Sequence, residues 1–99
     1  MKLMDKVCSQ IREELKDAEN YAMCAMKYRD THPEIASVYN RLAGEEIRHA
    51  DMLHDQAARM VERESGENEK IMKAIWEHEH GWMIEMKADA QRLIDMYKA

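Results

Sequence analysis

Phenylalanine is absent from the 99 residues, proline occurs once and glycine three times. So little turn material excludes a fold assembled from many short elements. No apolar run approaches the roughly 18–20 residues needed to cross a bilayer. The opening run Met1-Lys2-Leu3-Met4-Asp5-Lys6 also lacks a signal-peptide hydrophobic region. A basic stripe is missing too, and with a formal net charge of -5 this argues against nucleic acid as a partner. There are two cysteines, Cys8 and Cys24. On one helix they would stand about 24 Å apart, too far for a bridge whose Cα atoms sit about 4.4–6.8 Å apart. Two unpaired thiols suit a reducing cytoplasm, which is the expected location.

Abundant instead are Ala, Glu, Met, Lys, Arg and Leu, the strong helix formers. Apolar spacing keeps a helical period almost end to end and predicts three long helices, near 3–29, 33–64 and 68–98. The fold class expected is all-α, a single-domain antiparallel bundle. Its first stripe runs Leu3, Val7, Ile11, Glu14, Ala18, Tyr21, Ala25, Tyr28. The second runs Ile35, Tyr39, Leu42, Glu46, His49, Leu53, Gln56, Met60. The third is less regular: Ile71, Ile75, His78, Trp82, Met86, Asp89 or Ala90, Leu93, Tyr97. Thr31 with Glu34 three residues on reads as a capping box, and Pro33 suits a first helical turn. A link this short makes the first two helices an antiparallel hairpin. A chain of this size buries only about 60–65% of its unfolded surface, so a partner copy would help it. Met23, Met26, Met52 and Met83 lie off the main seams and, with Trp76 and Trp82, read as an oligomer edge.

Three residues interrupt the apolar seams. Glu14 lies between Ile11 and Ala18, and Glu46 with His49 between Leu42 and Leu53. A buried carboxylate must be protonated, paired or bound to a cation. Counting from a turn centred at Thr31, Glu14 is seventeen residues before it, and Glu46 and His49 are fifteen and eighteen after. In an antiparallel pair those positions meet at one level, inside the bundle. The i, i+3 spacing puts Glu46 and His49 on one helix face. A Glu from one helix and Glu-x-x-His from its neighbour, supplied twice, is how four-helix bundles chelate iron or manganese. These oxygen and nitrogen donors suit Fe, Mn or Zn. Glu-x-x-His alone carries little weight: thirteen Glu and five His give about 0.65 chance occurrences. Indeed Glu77 and His80 repeat the spacing, on a face that is mixed and mostly wet. His78 reads as a core histidine and His54 with Asp51 as a solvated pair. Gly44 reads as a place where a ligand or a neighbouring helix could approach.

The run Glu14-Leu-Lys-Asp-Ala-Glu-Asn-Tyr21, followed by Glu45-Glu46-Ile-Arg-His49-Ala50, resembles the first helix pair of rubrerythrins and other ferritin-like di-iron proteins. The likeness covers about residues 11–60. It implies Glu14 as a terminal iron ligand, Glu46 as a carboxylate bridging two irons, His49 as a terminal ligand and Tyr21 as an aromatic beside the site. A full ferritin-like bundle has four helices, whereas this chain has room for three. Encapsulated ferritins look similar in this respect, their di-iron site forming only across a two-fold dimer. The resemblance thus implies a homodimer or higher homo-oligomer with two irons per shared site, and ferroxidase, iron-sequestering or peroxide-scavenging activity. The run Ile94-Asp95-Met96-Tyr97-Lys98-Ala99 does not resemble the apolar tail that addresses cargo to a protein shell, and the chain has no rubredoxin-like Cys₄ segment. The alternative expectation is a non-catalytic helical interaction protein in which the Glu–His cluster fixes register.

Overall fold

The computed structural model describes residues 2–99 and is all-helical: α1 (Lys2–Tyr28), α2 (Pro33–Arg63) and α3 (Asn68–Lys98). All three expected helices are present, within one or two residues of the expected limits. The chain measures 56 × 17 × 15 Å, a rod three helices thick. No helix is long and apolar enough to cross a membrane.

The first turn closes through the His32 N–H donating to the Tyr28 carbonyl at 2.8 Å. Pro33 stands at the start of α2 as expected, but the capping box does not form. The residue at the cap is His32, without a side-chain cap, and its Nδ1 lies 2.9 Å from Thr31 Oγ1. Proline already removes one of the N–H groups such a cap would satisfy. The second turn depends on Gly66, whose φ of +80° is a conformation that residues with a Cβ rarely adopt.

α1 packs against both other helices. One end of the core holds Met4, Cys8, Ile11, Leu15, Ala50, Ala57, Met72 and Met83. The other is built of Ala18, Ala22, Ala43, Ile47, Ala90 and Ile94. Alanines dominate this second half of the core, and small residues let helix backbones come close, which shortens the reach that long side chains at the seam must span. Arg12 on α1 fastens Glu79 of α3, one Nη1 lying 2.5 Å from both carboxylate oxygens, and Lys87 of α3 donates to Asp51 of α2 at 2.8 Å.

The buried stripes lie beside the expected ones. In α1 the innermost residues are Met4, Cys8, Ile11, Leu15, Ala18, Ala22 and Ala25, while Leu3 is 62% exposed. In α2 they are Ala36, Ala43, Ile47, Ala50 and Ala57, and Ile35 and Gln56 are exposed. In α3 they are Met72, Met83, Ala90 and Ile94, which one helical line connects. His78 is exposed rather than a core histidine, and Ile71 and Trp82 are also exposed. Met83 is core rather than edge, Met26 is half-buried, and Met23 and Met52 are exposed. The reason is common to all three. A helix in a three-helix rod has two neighbours, so its buried arc centres between them and turns away from the stripe that one partner alone would cover.

Candidate metal centre

The rotation of α1 and α2 decides what happens to the interrupting residues. Glu14 and Tyr21 flank the buried arc of α1, and Glu46 and His49 flank that of α2. Because the Ala-lined faces of the two helices turn inward, these residues line the outer seam of the α1–α2 pair. The level match holds: one donor atom each from Glu14, Glu46 and His49 lies within 4.8 Å of the others. The depth differs from expectation. The cluster lies at the surface of the single chain, with side-chain exposures of 29% for Glu14, 18% for Glu46 and 55% for His49.

His49 Nδ1 stands 3.5 Å from Glu14 Oε2 and 3.7 Å from Glu46 Oε1. A first-row metal about 2.0–2.2 Å from each donor would set those donors about 3.0–3.5 Å apart. Both His49 spacings lie close to that range, so the donor set fits one cation. The carboxylates bear this out electrostatically. Glu46 is pushed up to about 7, first by its hydrogen bond with Glu14, then by burial, then by the charge of Glu14. His49 opposes that shift only in part. A cation beside Glu46 would act against these causes and favour its ionised form.

Comparison with known proteins finds no matching family model, curated protein or solved structure. The donor geometry therefore stands by itself.

Tyr21 lies two turns from Glu14 along α1, about 10 Å. Its ring partner is Tyr39 of α2, stacked at 6.1 Å and 26°. Reading Tyr39 as a plain seam residue missed this pairing. The signal was available: Tyr39 precedes Glu46 by the same seven residues by which Tyr21 follows Glu14. Gly44 is not a point of close approach, since an added Cβ would meet only Arg48 Nη1 at 4.0 Å. Glu77 is exposed, and His80 lies instead against His54 and Trp76. Cys8 is buried and its thiol is pushed up to about 11, mainly by burial, so it stays protonated and inert; Cys24 is free and half-buried.

Proposed function

We propose that the chain is a ferritin-like di-iron protein that binds Fe(II) as its substrate and oxidises it at a site shared between two copies. The observation that carries this reading is the triad itself, two carboxylates and an imidazole at one level. A cluster serving only to fix register has no use for two carboxylates and one exposed histidine. The surface position of the cluster, within reach of an incoming ion, favours the metal reading over a buried register-fixing pair.

Each chain offers three donors, and a two-fold axis along this seam would supply four carboxylates and two imidazoles. In that arrangement Glu14, Glu46 and His49 of both copies would hold the iron. Bound Fe(II) would supply the electrons that reduce O₂ or peroxide. The chain's own contribution is the site: ionised Glu46 would face the cation, and the second copy would cover the exposed ring of His49. Exposed Leu3, Ile35, Val38 and Met52 on α1 and α2 supply apolar surface for that contact. Tyr21, with Tyr39, stands beside the site as an aromatic wall. Free thiols at Cys8 and Cys24 fit a reducing cytoplasm.

Light scattering on the Fe(II)-loaded chain tests the shared site. A dimer or an even-numbered oligomer is expected at micromolar concentration. A monomer that binds two irons would overturn it.

A further inference from the structure

On the side of the molecule where α2 faces α3, His54 and His80 come together over a cavity of about 420 Å³. Its floor is Ile11, Leu15 and Met83; Asp51, Asp55 and Lys87 stand among its polar walls. Glu14, Glu46 and His49 do not line it. The two imidazoles have their centroids 4.9 Å apart, with planes at 39°. Trp76 backs both, 5.1 Å from His80 and 4.9 Å from His54. Asp55 Oδ1 lies 3.7 Å from His54 Nδ1.

Two imidazoles on a tetrahedral metal, each nitrogen about 2.0–2.1 Å from it, have ring centroids about 5 Å apart. The observed spacing agrees with that value. Asp55, 3.7 Å from His54 Nδ1, adds a negative charge beside the pair. We infer that His54 and His80 form a second metal site, for a borderline-soft divalent cation of the Zn²⁺ type. Imidazole donors suit Zn, Cu and Ni, whereas the carboxylate-rich cluster suits a harder ion. The cavity has room for the water that fills the remaining positions, and Asp51 on its wall is a further oxygen donor once it leaves Lys87. Because the ligands come from α2 and α3, the cation would staple these two helices directly.

The test uses Zn²⁺ in a Glu46→Ala, His49→Ala background, which removes the first site, with Trp82→Phe leaving Trp76 as the only tryptophan. One Zn²⁺ per chain is expected, with a change in Trp76 fluorescence and a raised thermal midpoint. Adding His80→Phe, which keeps a ring in the stack, is expected to lower Zn²⁺ affinity more than tenfold and abolish the fluorescence change. Asp55→Asn is expected to weaken binding about tenfold. Equal affinity with and without the His80→Phe change would overturn the proposal. So would loss of all Zn²⁺ binding in the Glu46→Ala, His49→Ala background itself while the helices remain folded by circular dichroism.

Discussion

Replacing Glu46 and His49 together with alanine is expected to abolish tight Fe(II) binding while leaving a folded chain. Loss of one partner outside the coordination sphere already costs a metal site about 10–100-fold in affinity. Removing two of three direct donors should exceed that range. Stability of the metal-free protein should hold or rise, because the substitution removes a partly buried carboxylate set against the charge of Glu14. The measurement is anaerobic equilibrium binding of Fe(II) to both proteins, beside urea denaturation without metal. Unchanged iron binding would sink the metal reading. A large loss of metal-free stability, or a change of oligomeric state with iron irrelevant, would return the cluster to a structural role.

Metal-free stability should also fall as the pH rises through neutrality. Glu46 is raised from its ordinary value of 4.5 to about 7 in the folded chain, so folding favours its protonated form. The stability gained this way is fully present below about 4.5 and lost as pH passes about 7. Between pH 5 and pH 8 the fall attributable to Glu46 is about 1–2 kcal/mol, less than the whole shift because water reaches the exposed side of the cluster. Glu46→Gln should remove this component of the slope and be the more stable protein at pH 8. Iron should act in the opposite sense, stabilising the parent most at pH 8, where the cation no longer competes with a proton. Urea titrations of parent and variant across this range check the prediction. Parallel pH profiles would mean that Glu46 does not hold the proton.

Helix number, helix limits and the meeting of Glu14, Glu46 and His49 were legible because each depends on local information: a 3.6-residue period, one proline, and counting outward from a short turn. The rotational setting of each helix was not. Leu3 and Met4 are neighbours of similar hydrophobicity, yet one is exposed and the other fully buried. The choice is made by α3, which draws α1 round toward Met72 and Met83. The same rotation moves the Glu14–Glu46–His49 cluster from the expected interior to the surface of the single chain. Reading His54 and His80 as separate wet residues missed their pairing. They meet because α3 returns antiparallel across Gly66, with His54 twelve residues before it and His80 fourteen after, a count the second turn offered as the first did. The missing Thr31–Glu34 cap has a local cause that was visible, since Pro33 occupies the position where such a cap has least to satisfy.

The central claim is that Glu14, Glu46 and His49 of two chains hold iron. Anaerobic titration of the purified chain with Fe(II), counting tightly bound iron per chain, tests it most directly. The shared di-iron site predicts a value near one, reached only in the dimeric or larger assembly. Absence of tight binding would contradict it.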